Sequence, residues 1–144
     1  MKENKNALDE VNKGATMGMD AIKFILDKVE DKDFKNVLEV EYDKYQKISN
    51  EVNEIYPKYD DEKKPHETST MNKVMTWYGI EMRTLTDKSN SKIAELLLQG
   101  TNMGIIEGRK ILNHKDGLDE EVSTILDKFV TMQEDSVEML KKYL

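Results

Sequence analysis

The stretch GATMGMDAIKFIL at residues 14–26 decides the fold, because GTNMGIIEGRKIL at residues 100–112 repeats its pattern. Both copies begin with Gly-x-x-Met-Gly and end with Ile-Leu, and Lys23 and Arg109 occupy the same register. A repeat of this kind predicts two similar helical hairpins, related by a pseudo-two-fold axis.

Length and composition describe a single globular domain. A chain of 144 residues is long enough to bury a substantial core, and we expect residues 1–144 to form one domain with a flexible segment at 1–5. Hydrophobic residues make up 38% and charged residues 35%, which favours an all-helical protein. The net charge of −7, with lysines interspersed among acids, argues against nucleic acid as a partner.

Cysteine usage and hydropathy bear on the compartment. The chain has no cysteine, which excludes disulfides and zinc–thiolate sites. The polar start at residues 1–6 shows no secretory signal, and the apolar patch at residues 93–98 is too short to span a bilayer. The sequence therefore predicts a cytoplasmic protein that does not enter a membrane.

Apolar residues at alternating steps of three and four predict five helices. The first covers about residues 5–30, and Asp31 or Asp33 caps a second that ends before Pro57. Residues 57–68 are predicted to form a loop, a shorter third helix follows from Thr68 or Ser69, and the fourth ends near Asn113. The inward stripe of the second helix is Phe34, Leu38, Glu41, Tyr45, Ile48, Val52 and Ile55. That of the fifth is Val122, Ile125, Phe129, Met132, Ser136, Met139 and Tyr143.

The repeat pairs the first helix with the second and the fourth with the fifth. Short connections make each pair antiparallel, so the segment 57–90 has to carry the chain to the opposite end of the bundle. The predicted third helix, at about 1.5 Å per residue, is long enough for that crossing. The predicted fold is an all-α antiparallel four-helix bundle, with a crossover that contains an additional shorter helix.

Several short patterns carry a resemblance to a known family. They are Gly14-x-x-x-Gly18, the turn Asp31-Lys-Asp-Phe34, Tyr42-x-x-Tyr45 and the segment IAELLLQG at residues 93–100. With these patterns the chain resembles the small bacterial ferritin-like (rubrerythrin-like) bundles, in particular a branch described as a domain of unknown function. The resemblance implies a ferritin-like bundle and raises the question of a di-iron site.

The histidines that such a site needs are missing from the pattern. Metal-binding ferritin-like proteins use Glu-x-x-His, which places a carboxylate and an imidazole one helical turn apart. His66 lies in the polar loop, His114 lies at a helix end, and neither has a glutamate three residues before it. The sequence therefore predicts no catalytic, cofactor-binding or metal-binding residue set, and no cofactor is expected.

Three acids at predicted inward positions leave an alternative open. Glu41, Glu81 and Glu107 would be costly to bury unless they were paired or bound to metal. They form either an all-carboxylate site for iron or manganese, or ordinary pairs with Arg83, Arg109, Lys44 or a tyrosine hydroxyl.

Glycines inside helices also need a reason, because each costs roughly 0.5–1 kcal/mol relative to alanine. We expect Gly14, Gly18, Gly100, Gly104 and Gly108 to permit close approach or to make room for a ring such as Tyr45 or Phe129. The alternative is that they widen a pocket for a small ligand.

Three functional hypotheses follow. The favoured one is a non-enzymatic ferritin-like bundle that self-associates or binds another protein, with Trp77 as an exposed anchor in a homodimer. The second is a carboxylate-only metal-binding protein, an oxidoreductase or metal store. The third is a carrier of a small apolar ligand, which requires a cavity beside Gly18 and Gly104.

Overall fold

Four long helices dominate the computed structural model, which describes residues 2–60, 65, 79 and 81–144. They are α1 (Lys2–Ile25), α2 (Lys32–Ile55), α3 (Asn90–Leu112) and α4 (Glu120–Lys141). Short 3-10 turns follow α1, α2 and α3 at Leu26–Lys28, Tyr56–Lys58 and Lys115–Gly117. These described residues contain no strand, so the all-α prediction is confirmed.

The predicted fourth and fifth helices are α3 and α4. The predicted third helix lies largely outside the described residues; within it, residues 79 and 81–83 are helical. Helix α1 begins at Lys2, and the side chain of Asn4 is already buried.

Side-chain caps fix the starts of two helices. Asp31 caps α2 by accepting a hydrogen bond from the Phe34 backbone N–H at 3.1 Å, as the sequence predicts. Ser89 caps α3 in the same way, through the Lys92 N–H at 3.2 Å.

Contacts between helices establish their relative directions. Asp9 and Asn12 of α1 contact Tyr56 and Ser49, respectively, so the first pair is antiparallel. Gly104 and Gly108 of α3 face Gln133 and Val130 of α4, respectively, so the second pair is antiparallel too. Helices α2 and α4 also run antiparallel, since Glu41 contacts Ser136 and Glu51 contacts Lys128. Helix α1 contacts each of the other three.

The connection between α2 and α3 starts and finishes at opposite ends of the four helices. At its start, Lys58 pairs with Glu121 near the beginning of α4. At its finish, the Asn90 side chain donates to Asp31, the cap residue at the beginning of α2. Helices α2 and α3 therefore begin at the same end of the molecule.

The core follows most of the predicted stripes. Every predicted inward residue of α2 except Ile55 is buried, including Glu41. In α4 the prediction holds for Ser136 beyond Phe129 but is wrong for Met132, Met139 and Tyr143, which are only half-buried. Gln133 and Leu140 are buried instead. The stripe advances by four residues at Phe129, because a straight helix drifts away from a strict seven-residue repeat.

Among these same residues, the structure contains no helix with the length and apolar character needed to cross a membrane.

Candidate ligand-binding cavity

Helical glycines bring large side chains close to the backbones of α1 and α3. A Cβ added at Gly14 would collide with the Phe129 ring, and one at Gly18 would lie 2.6 Å from the ring of Tyr45. On α3, a Cβ at Gly104 would collide with the Gln133 amide. The prediction that helical glycines make room for Tyr45 and Phe129 is confirmed for Gly18 and Gly14, respectively.

A cavity of about 60 Å³ lies among the four helices at this level. Its walls are mostly apolar, with glycines from α1 and α3 and apolar side chains from all four helices. Glu10 and Glu107, whose side chains are 35% and 48% exposed, also line the cavity and mark its solvent edge. The alternative prediction of a cavity beside Gly18 and Gly104 thus has a structural counterpart.

A buried carboxylate lines the inner part of the cavity. Glu41 is 6% exposed, and its Oε2 accepts a hydrogen bond from the Ser136 hydroxyl at 2.7 Å. Its Oε1 lies 3.6 Å from the amine of Lys44, one turn along α2, whose side chain is 48% exposed. Lys44 therefore compensates the negative charge of Glu41 from the solvent side, and the neutral Ser136 hydroxyl donates a hydrogen bond to it on the buried side.

A protonated tyrosine lies next to this carboxylate. Burial is the main cause that raises the pKa of Tyr45 above its usual value of 10.0, and the negative charge of Glu41 adds to the effect. Hydrogen bonds with the side chains of Gln133 and Thr101 act in the opposite direction. Tyr45 is consequently neutral at physiological pH.

Gln133 has an unsatisfied acceptor in the cavity wall. The residue is 2% exposed. Within the described part of the chain, its Oε1 is the one buried side-chain nitrogen or oxygen atom without a hydrogen-bond partner. An unpaired buried polar group costs about 1–3 kcal/mol, so such atoms in native proteins call for an explanation. A bound molecule that donates a hydrogen bond supplies one.

The charges around the cavity have one sign. Glu10, Glu41 and Glu107 line it, and no lysine or arginine does so among the residues the structure describes. Each acid has a lysine nearby on its own helix, Lys13, Lys44 or Lys110, at 3.4–3.6 Å. These amines belong to half-buried or exposed lysines outside the lining, so the cavity itself retains acidic character.

The structure separates the three predicted acids. Glu41 is buried as expected and Glu81 is half-buried, but the expectation that Glu107 points inward is wrong. Gly104 and Gly108 face α4, which leaves Glu107 at the edge of α3 beside Lys110. Across residues 2–60, 65, 79 and 81–144, no three acids or histidines form a group able to hold a metal ion.

Other predicted features lie away from the cavity or outside the described residues. Trp77 and His66 fall outside them. His114 is exposed, with its Nδ1 2.9 Å from the Lys110 carbonyl oxygen.

Gln133 and Thr101 line the cavity but were not predicted from the sequence. Thr101 was recoverable from the repeat, because it occupies the position of the buried Ala15. Gln133 had no such signal, because a glutamine between Met132 and Ser136 is typical of a solvent-facing position.

Comparison with protein-family models, with curated proteins and with solved structures found no match for this chain.

Proposed function

We propose that this protein binds a small, largely apolar molecule in the cavity between its four helices, as a carrier rather than as an enzyme. The observation that carries the proposal is the unpartnered Oε1 of Gln133, buried in the wall of a cavity. Small-molecule sites typically combine apolar walls with a few convergent polar groups. Glu41, Tyr45, Thr101 and Gln133 are such groups here.

The size of the cavity limits the ligand. One ordered water needs roughly 10–15 Å³ of this kind of volume, so 60 Å³ corresponds to a ligand of a few non-hydrogen atoms. The solvent edge at Glu10 and Glu107 supplies an entry route and lets a longer ligand project outwards.

Xenon under pressure tests whether the cavity is accessible, because it enters apolar cavities without needing a polar contact. We expect saturable shifts of the Gly14, Gly18 and Gly104 amide signals in ¹H–¹⁵N NMR spectra. Ala21→Leu, which fills the lining, should abolish the shifts. Thr16→Leu, on the same helix but outside the lining, should leave them. Shifts that are absent or unsaturable in the wild type would overturn the proposal.

The ferritin-like resemblance remains a proposal about architecture. It is supported by the common starting end of α2 and α3, which is the consequence of one long crossover between antiparallel hairpins. Iron or manganese binding remains the low-ranked alternative, and plasma mass spectrometry after anaerobic ferrous loading tests it directly. About two iron atoms per chain would revive it, with Glu41 as the first ligand to substitute.

Self-association or protein binding, the hypothesis favoured by the sequence, stays a prediction. Its anchor, Trp77, lies outside the described residues. Within the described part of the chain, the large exposed apolar side chains belong to different helices or the C-terminus: Phe24, Val40, Ile106 and Leu144. Sedimentation equilibrium of the wild type and of Trp77→Ala tests it. A dimer weakened by the substitution supports the prediction, and a wild-type monomer removes it.

A further inference from the structure

We infer that the ligand of this cavity carries a protonated amine, bound by the Glu41 carboxylate and the Gln133 side-chain oxygen, on a short apolar body. The inference rests on the proposed function, because it assigns a chemical class to the molecule held in the same cavity.

Two polar groups in the lining, the Glu41 carboxylate and the Gln133 side-chain oxygen, present hydrogen-bond acceptors. An ionised glutamate has only acceptor sites, and Ser136 occupies one of those on Glu41. Gln133 adds an amide oxygen without a partner. An ammonium group carries three donors and no acceptor, so it matches this set. A ligand carboxylate would instead place acceptors against acceptors.

Charge favours the same class. The three lining carboxylates attract a cation, and those at the solvent edge, Glu10 and Glu107, lie on the route to Glu41. Burying an anion beside the buried Glu41 would be costly, whereas pairing a cation with it offsets the cost of desolvating both groups.

Lys44 is the internal competitor for the ligand. Its amine lies 3.6 Å from Glu41 Oε1, beyond hydrogen-bond distance, and its side chain is half-exposed. A ligand amine inside the cavity would therefore replace a loose, solvated ion pair with a buried one. Removing this competing charge should strengthen binding.

The apolar remainder of the ligand follows from the walls. Glycines on two helices, together with Met17 and Met103, provide a narrow apolar space with adaptable sides. A primary amine with a chain of about four carbons suits a space of a few non-hydrogen atoms, as estimated from the volume per ordered water.

Three probes of one chain length separate the alternatives in the wild-type protein: butylammonium, 1-butanol and butyrate. We expect NMR titration at pH 7 to show butylammonium binding at least tenfold more tightly than 1-butanol, and butyrate not binding. Equal affinity for the amine and the alcohol, or a preference for butyrate, would overturn the inference and leave the proposed function standing. If xenon enters the cavity but none of the three probes binds, the inference fails and the proposed function stands. If xenon gives no saturable shifts, the proposed function itself fails.

Single substitutions test whether the preference for butylammonium depends on Glu41 and Lys44. Glu41→Gln keeps an acceptor for Ser136, and it should bring the amine to the affinity of the alcohol. Glu51→Gln, on the same helix but paired with Lys128 outside the cavity lining, controls for net charge. Lys44→Met should strengthen amine binding by about three- to tenfold, whereas Lys47→Met should not. A preference for the amine that survives in a folded Glu41→Gln protein contradicts the inference.

Discussion

Two regions of the molecule bury polar side chains between helices, and they differ in how completely these groups are paired. Near the start of α1, Asp9 accepts a hydrogen bond from the Tyr56 hydroxyl at 2.8 Å and pairs with Lys5 at 3.0 Å. One turn further on, Asn12 accepts from the Ser49 hydroxyl at 2.7 Å. We call this set of residues the α1–α2 network.

The cavity region has similar burial but incomplete pairing. Glu41 and Gln133 are both nearly inaccessible, yet the carboxylate has one short hydrogen bond and the amide oxygen has none. A network in which the polar groups are hydrogen-bonded to one another rigidifies a helix pair. Polar groups beside a cavity that lack hydrogen-bond partners are instead able to bind a ligand. The comparison separates structural polar groups from candidate binding groups without reference to any relative.

The largest effect is expected in the α1–α2 network. Tyr56→Phe removes the donor to Asp9 while keeping the ring, and it should lower the free energy of unfolding by about 2–3 kcal/mol, as for hydrogen bonds to buried charged groups. Urea denaturation measures the change. Tyr143→Phe, in a ring that stacks on Phe34 at 4.1 Å, is the control and should change stability far less. Equal effects would mean that the network is not what holds α1 to α2.

A smaller loss in the free energy of unfolding is expected when a helical glycine beside the cavity is replaced by alanine. In Gly14→Ala the new methyl group meets the buried ring of Phe129, and the strain exceeds the gain in helix propensity. We expect a loss of about 1–2 kcal/mol after the two are offset. Gly104→Ala meets the flexible end of Gln133 instead, so its loss in the same denaturation experiment should be less than half as large. The reverse order would show that Gln133 is held as rigidly as Phe129.

Periodicity predicted the four long helices, the Asp31 cap and the antiparallel hairpins, because each depends on local sequence and short connections. Glycine spacing predicted the contacts with Tyr45 and Phe129. The burial of Gln133 could not be predicted, because it depends on where α4 drifts from its seven-residue repeat, and only packing decides that position. For the same reason Glu107, placed inward by counting, lies at the edge of α3.

Close to no change is expected when the unsatisfied group is removed. Gln133→Met preserves the shape of the side chain and deletes both the unpaired oxygen and the hydrogen bond between the Gln133 amide and Tyr45. Because the gain and the loss oppose each other, we expect stability within about 1 kcal/mol of the wild type. Gln99→Met, at an exposed position of α3, is the matched control for the change in composition. A loss of more than 2 kcal/mol would place Gln133 with the α1–α2 network, as a paired structural group.

The last comparison concerns how the free energy of unfolding depends on pH, and this dependence appears only in alkali. Burial is the first cause that raises the pKa of both Tyr45 and Tyr56 above 10.0, and the Asp9 carboxylate adds to the rise at Tyr56. The unfolded chain then releases phenol protons at a lower pH than the folded one. The contribution of the two phenols to the free energy of unfolding should therefore be fully present below pH 10 and should decrease as the pH rises above it.

Each phenol should contribute the same slope as long as it stays protonated in the folded state. Tyr45→Phe and Tyr56→Phe should therefore make the decline between about pH 10 and pH 11.5 shallower by equal amounts, up to about 1.4 kcal/mol per pH unit. Urea denaturation across this range measures both slopes. If Tyr56→Phe flattens the decline and Tyr45→Phe does not, Tyr45 ionises in the folded protein. The cavity would then be open to water as far as its inner wall, and a polar ligand would reach Glu41 without displacing an apolar wall.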